Sequence, residues 1–170
     1  MLQCDNPFWR FSLAVYAAPG VASECLALQD GQGIDVNVLL FCAWLGAIKR
    51  FVVLPADIEE FRDEVQQWRD TVITPLRAVR RDVKAIPDST ENDVSTFRQD
   101  LAALELRAEQ IEQAILYRIA ASYRSSGLSP AELTVWSNIA LLVGEDAASN
   151  APQLIAAAVA YHASDEDNPT

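Results

Sequence analysis

Arg77, Arg80, Arg81 and Lys84 stand at i, i+3, i+4 and i+7, a spacing that puts four cations on one face of a helix. Only Asp82 relieves the charge within the run. Guanidinium groups clustered this way can hold a phosphate, a diphosphate or an acidic partner segment through charge-assisted, bidentate hydrogen bonds. The stripe can equally be the flank of a helical hairpin. Folding about residue 90 brings Arg80 to Asp100 and Lys84 to Thr96, with Asp93 and Glu105 in reach. Charge and geometry favour the paired flank.

Other residue types limit the chemistry further. The single histidine, His162, lies near the C-terminal end, and neither a His-x-x-x-His nor a Glu-x-x-His accompanies it. Common zinc hydrolase and carboxylate-bridged di-iron sites therefore cannot be assembled. A Ser-His-Asp triad would have to use that same histidine, and no Gly-x-Ser-x-Gly is present. Nucleotide-binding glycine patterns are missing too, and Gly31-Gln32-Gly33 reads as a turn. Carboxylates at helical spacing (Glu59 with Asp63, Glu60 with Glu64, and Glu105, Glu109 and Glu112) have Arg62, Arg107 and Arg118 within pairing distance. They read as charged faces. No metal and no cofactor is expected, and no catalytic residue is assigned.

Aromatic side chains gather in Phe8-Trp9-Arg10-Phe11, with Tyr16, Phe41, Trp44, Trp68 and Trp136 elsewhere. Their default role is to anchor a helical core. Gln29 and Asn37 interrupt apolar surroundings, and a buried amide can tie down a loop or meet a ligand. If the body holds a small-molecule site, the expected lining is Phe8, Trp9, Asn37 and Trp44, with Arg77, Arg80 and Arg81 supplying charge.

The elements that must position these residues are helices. Residues 57–86 carry Ile58, Phe61, Val65, Trp68, Val72, Leu76, Val79, Val83 and Ile86 at steps of three or four. Residues 94–123 do the same with Val94, Phe97, Leu101, Leu104, Ala108, Ile111 and Ile115. Each stripe is a seam that needs a partner helix. The turn-rich residues 87–92 have the length that joins antiparallel neighbours. Pro75 coincides with two successive steps of four, so a kink or a break near Ile73 is expected.

Upstream, Asn6-Pro7, Pro19 and Asp35 open three helices. The third, residues 36–49, is apolar almost all round and so belongs at the centre of the core. Downstream, the second arm stops near Ser125-Ser126-Gly127, Ser129-Pro130 starts another helix, and residues 151–163 form the last. Phe51-Val52-Val53-Leu54 is a short extended candidate. The expected fold is all-α: one helical-bundle domain over residues 1–163, with six to eight helices, a long antiparallel hairpin at 57–126 and a disordered acidic tail at 164–170.

Among 170 residues, 51% are hydrophobic and the formal net charge is −11. That balance argues against nucleic acid and anionic membrane as partners, since both attract clustered Lys and Arg. The longest apolar run, residues 38–48, falls short of the ~18 residues a membrane span needs. No signal segment is visible. Cys4, Cys25 and Cys42 are odd in number without a Cys-x-x-Cys, which favours a reducing, cytoplasmic setting.

The N-terminal segment 7–16, then Gly20-Val21-Ala22 and Cys25-Leu26-Ala27-Leu28-Gln29-Asp30, followed by residues 33–44 (Gly33-Ile34-Asp35-Val36-Asn37-Val38-Leu39-Leu40-Phe41-Cys42-Ala43-Trp44), resembles a family of small proteobacterial proteins. That family carries a domain of unknown function. Trp68-Arg69 and Pro75-Leu76-Arg77-Ala78-Val79-Arg80-Arg81 fit the same pattern. The resemblance implies a cytoplasmic bacterial helical protein and supplies no catalytic residues. Two functions follow as expectations. The first is a noncatalytic interaction or adaptor module, with a protein partner or a homodimer formed through the long arms. The second is a site for an anionic or lipid-like metabolite in the N-terminal body.

Overall fold

Helix α1 (Pro7–Tyr16) starts where local chemistry demands. Asn6 Oδ1 accepts from the Trp9 N–H at 2.8 Å, and Pro7 fills the first turn, where no N–H is needed. Helix α2 (Val21–Gln32) ends on Gly33 at φ +69°, a left-handed position that suits glycine. Asp35 then caps α3 (Val36–Ala47) by accepting from the Asn37 N–H at 2.8 Å. The computed structural model describes residues 1–86, 92–124 and 129–166. The inter-arm residues 87–91, the stop at Ser125-Ser126-Gly127, the side chain of His162 and residues 167–170 lie outside the described residues.

The expectation for α3 holds: every residue from Asn37 to Ala47 is buried. Helix α7 (Ala131–Val143) crosses it closely. A Cβ built on Gly46 would sit 2.8 Å from the Val135 Cα and 2.9 Å from its N, so glycine alone permits that approach. Phe8, Phe41, Trp44 and Phe61 form an aromatic cluster around α3, with ring centroids 4.9 to 5.9 Å apart among the contacting pairs. The connection after α3 forms no strand. Instead, the fully buried Asn138 on α7 donates to Cys42 O and Phe51 O and accepts from the Val53 N–H, which fixes the segment at Phe51-Val52-Val53. The five-residue turn α8 (Glu145–Ser149) leads to α9 (Pro152–Glu166), which runs on into the stretch expected as a tail. Glu24 on α2 accepts from the N–H groups of Gln153 and Leu154 at 3.0 and 2.8 Å, closing the first turn of α9.

The first arm comprises α4 (Pro55–Trp68), a π-helical segment at Arg69–Ile73, and α5 (Thr74–Ala85). At the segment's end the Thr74 N–H reaches Arg69 O, a step of five residues. Pro75 therefore sits just beyond a widened turn, and the hydrogen bonding changes from α to π and back at the place where a kink or break was expected. A π turn holds one residue more than an α turn, which matches the two successive steps of four.

Helix α6 (Asn92–Ile119) runs antiparallel to this arm. Arg118 pairs with Glu64 at 2.8 Å, the Trp68 indole N–H donates to Ala108 O at 2.9 Å, and Arg80 meets Glu105. Arg80 meets Glu105, which the expected hairpin left in reach, and not Asp100. The buried line of α6 is also rotated from its apolar stripe. Leu101, Glu105, Ala108, Glu112 and Leu116 are buried, whereas Phe97 and Leu104 are 52% and 56% exposed. Two carboxylates occupy seam positions because groups able to satisfy them face that line.

Candidate functional site

The cations of α5 and the carboxylates of α6 form one wall of a cavity of about 440 Å³. Helices α1, α2 and α3 close the other sides, through Trp9, Ser12, Leu13 and Tyr16, Leu26, Gln29 and Asp30, and Val36, Asn37 and Leu40. Its volume lies in the range of small-molecule sites. Three larger depressions carry less chemistry, one of about 590 Å³ being an open patch along the outer face of α4. A cleft of about 540 Å³ between the start of α3 and the first arm has Asp35 and Arg69 paired in its lining, beside Glu59, Arg62, Asp63 and Asp70. An apolar groove of about 970 Å³ beside Trp136, α8 and α9 has few polar groups.

The charged wall is a closed network. Arg77 Nε donates to Glu105 Oε1 at 3.2 Å and its Nη2 donates to Glu109 Oε1. Arg80 donates through Nε to Glu105 Oε2 and through Nη2 to Oε1 at 3.3 Å, a bidentate grip. Burial pushes the Glu109 carboxyl above its usual range, although the hydrogen bond from Arg77 pulls the other way. For Arg77 burial opposes the charge, but the bond to Glu109 and the charges of Glu109 and Glu105 outweigh it, and its pKa rises. Tyr16 is raised by burial first and by Cys25 and Glu109 after that, so its phenol stays neutral and able to donate.

Two atoms of the lining lack partners. Ser12 Oγ and Gln113 Oε1 are buried without any hydrogen bond, and each residue is only 3% exposed. Buried polar atoms left unpaired cost about 1–3 kcal/mol each, and neither atom has appreciable accessible surface. Gln113 is held in place from the other side, since its Nε2 donates to Asn37 Oδ1 at 2.8 Å.

Asn37 links the cavity floor to a second buried group. Its Nδ2 donates to Glu112 Oε2. Burial, then the neighbouring Asp35 carboxylate, pushes Glu112 up to about 9, so it is a neutral carboxylic acid at pH 7. As an ionised acceptor, Glu112 Oε1 has no partner. Protonated, it can donate to Asp35, and that hydrogen bond is among the causes of the shift. Arg69, at the start of the π-helical segment, completes the chain by pairing with Asp35 at 3.3 Å.

The residues singled out in the sequence fall into three groups. Arg77, Arg80, Arg81, Trp9 and Asn37 come together around the cavity. Phe8 and Trp44 do not: expected to line such a site, both are buried in the aromatic cluster, and Trp44 also stacks on Phe41 and lies under Lys49 Nζ. Lys84, one turn beyond Arg80, is exposed on α5 outside the lining. Ser12, Tyr16, Glu105, Glu109 and Gln113 complete the wall. For Ser12 and Gln113 the only sequence signal is a polar residue on a helix that is otherwise packed.

Among the described residues no group of three or more His, Cys, Asp or Glu side chains is placed to hold a metal ion, and no single helix is long and apolar enough to cross a membrane. The family model described as "Protein of unknown function (DUF2390)" matches residues 7–116, and the chain belongs to that family. The matched stretch contains every residue that lines the cavity and none of those that line the groove beside α8 and α9. No curated protein and no solved structure matches the chain.

Proposed function

We propose that this protein is a noncatalytic binding protein whose cavity between α1, α2, α3 and the α5–α6 hairpin takes a small organic molecule. The observation that carries the reading is a cavity of ligand size whose lining combines apolar, aromatic and charged side chains with the buried polar residues Ser12 and Gln113. Binding is favoured over catalysis because Ser12 Oγ has no base hydrogen-bonded to it, so the hydroxyl is not activated as a nucleophile. The closed network of Arg77 and Arg80 with Glu105 and Glu109 supports a structural role for those two cations. Free, buried Cys25 and Cys42 support a cytoplasmic setting.

Thermal melting against a metabolite panel tests the proposal. A ligand at ~100 times its dissociation constant adds ~2.7 kcal/mol, a shift of roughly 5–10 °C for a chain of this size. Leu26 lines the cavity but is 46% exposed, so Leu26→Trp fills the space without crowding the core. The shift should vanish in Leu26→Trp. A panel with no hit, or a hit that survives the substitution, overturns the proposal.

A second reading concerns the hairpin's outward side. Val79 on α5, Ile86 just past its end, and Phe97 and Leu104 on α6 are all large, apolar and exposed. The antiparallel register set by Arg80 and Glu105 puts Val79 within a turn of Leu104 and Ile86 within a turn of Phe97. We read this row as the surface for a protein partner, a second copy of the chain included. Phe97→Glu with Leu104→Glu should abolish self-association in sedimentation experiments; a monomeric wild-type chain at high concentration removes the homodimer.

A further inference from the structure

We propose that the apolar groove formed by α7, α8 and α9 is a docking site for a basic amphipathic helix of a partner protein. The groove shares no residue with the cavity and does not depend on the binding proposal above. A surface helix normally turns an apolar face to the core and a polar face to solvent. The inward face of α9 holds Leu154 and Ala158, both fully buried. Its other side carries Pro152, Ile155, Ala156, Val159 and Ala160 at i, i+3, i+4, i+7 and i+8. All five border the groove and keep part of their surface in solvent. Helix α9 is thus apolar on two faces, and the core covers one. On α7, Leu133 and Trp136 stand one turn apart in the same lining, and Leu133 is 56% exposed. The groove has a volume of about 970 Å³. Its α9 stripe runs for ~12 Å, the length of two to three helical turns. Ala156 and Ala160 have no bulk to hold a second helix away from α9.

Charge decides the occupant. After Arg124 the chain contains no lysine or arginine, whereas Glu132, Glu145, Asp146, Asp165, Glu166 and Asp167 are all acidic. Every helix of the groove belongs to that stretch, and Glu132 is the one charged residue in its lining among the described residues. The lining therefore gives a fatty-acid carboxylate no counter-charge, and the acidic stretch repels an anionic bilayer. Two copies of the chain meeting through this face would bring like charges together. A helix with aliphatic anchors along one side and Lys or Arg on its flanks meets both conditions. Its anchors cover the groove, and its cations enter the field of Glu132 and the acidic stretch.

The test uses the full chain and three labelled synthetic peptides of about fourteen residues, long enough to span the stripe. The first has leucines at i, i+3, i+4 and i+7 with lysines elsewhere. The second has the same composition in scrambled order, and the third has glutamate for lysine. In fluorescence anisotropy the first should bind at least tenfold more tightly than either control. Leu133→Glu and Ala156→Glu, both at exposed positions, should each lower that affinity at least tenfold, although each adds a negative charge. Val52→Glu, the same change at an exposed position outside the groove, should leave it unchanged. Glu132→Gln should weaken binding and flatten its dependence on salt. Equal binding of the scrambled peptide reduces the effect to general charge attraction and overturns the proposal; equal binding of the glutamate peptide overturns the cationic partner. Binding that survives Leu133→Glu but is lost in Leu104→Glu moves the site to the hairpin and also overturns it. A wild-type oligomer dispersed by Leu133→Glu in sedimentation would put a second copy in the groove instead. Pelleting with phosphatidylcholine vesicles, abolished by the same substitution, would put a bilayer there and equally overturn it.

Discussion

Replacing Glu112 by glutamine should make the protein more stable at neutral pH, and by a margin that grows as pH rises. Glu112 is 1% exposed, and burial with the Asp35 charge pushes it to about 9. In the unfolded chain it titrates near the ordinary 4.5. Between those values the folded protein keeps a proton that the unfolded chain has released. Stability contributed by this group is therefore fully present below about 4.5 and is lost as pH climbs towards 9. The loss is ~1.36 kcal/mol per pH unit, or ~2.7 kcal/mol from pH 5.5 to 7.5. Glutamine has no proton to lose. Its carbonyl can still accept from Asn37 Nδ2, and its amide can donate to Asp35 in place of the acid O–H. Groups that do not interact with Glu112 contribute equally in the two proteins and cancel in the difference. Urea unfolding at pH 5.5, 6.5 and 7.5 should show the gap between variant and wild type widening by ~2.7 kcal/mol. Two curves that fall in parallel would refute the reasoning.

Gly46→Ala should destabilise the core by ~1–3 kcal/mol, because the new Cβ lands 2.8 Å from the Val135 Cα on backbone that cannot swing aside; differential scanning calorimetry reads this as a lower Tm. Asn138→Leu strands two carbonyls and one N–H, at Cys42, Phe51 and Val53, and at ~1–3 kcal/mol for each group it should cost more than Gly46→Ala in the same assay. Burial pushes the Cys25 and Cys42 thiols up to about 12, so an aromatic disulfide reagent at pH 8 should titrate one thiol, Cys4, in the native protein and three after denaturation; rapid reaction at three thiols without denaturant would contradict the burial.

Features set by short-range chemistry were readable in the sequence. Asn6, Asp35 and Gly33 announce their helix ends because cap and partner lie within four residues. The inward side of α6 was not readable, since apolar spacing assigns Leu104 to the seam and the protein puts Glu105 there. Nothing in the helix itself shows that arginines from another element will satisfy a carboxylate, or that a second carboxyl will keep its proton. Asn138 was invisible for the same reason, as its partners are 85 to 96 positions away. In the candidate site, Trp9 and Phe8 show how far residue type carries. Both are aromatic neighbours, but successive residues on a helix point ~100° apart, and Trp9 borders the cavity while Phe8 enters the core.

The π-helical segment at Arg69–Ile73 acts as a phase shifter for everything that follows it. Because the turn absorbs one extra residue, each downstream residue is rotated by ~100° and set back by ~1.5 Å relative to an uninterrupted α-helix of the same sequence. Arg77 and Arg80 meet Glu105 and Glu109 only after that turn. Regularising the segment to α geometry with its length unchanged would swing the guanidiniums about a quarter-circle off the cavity wall, whereas deleting one residue from it would restore the α-helix and leave them in place. The irregular geometry is thus the dial that aligns two helices whose own sequences carry no information about each other's rotation.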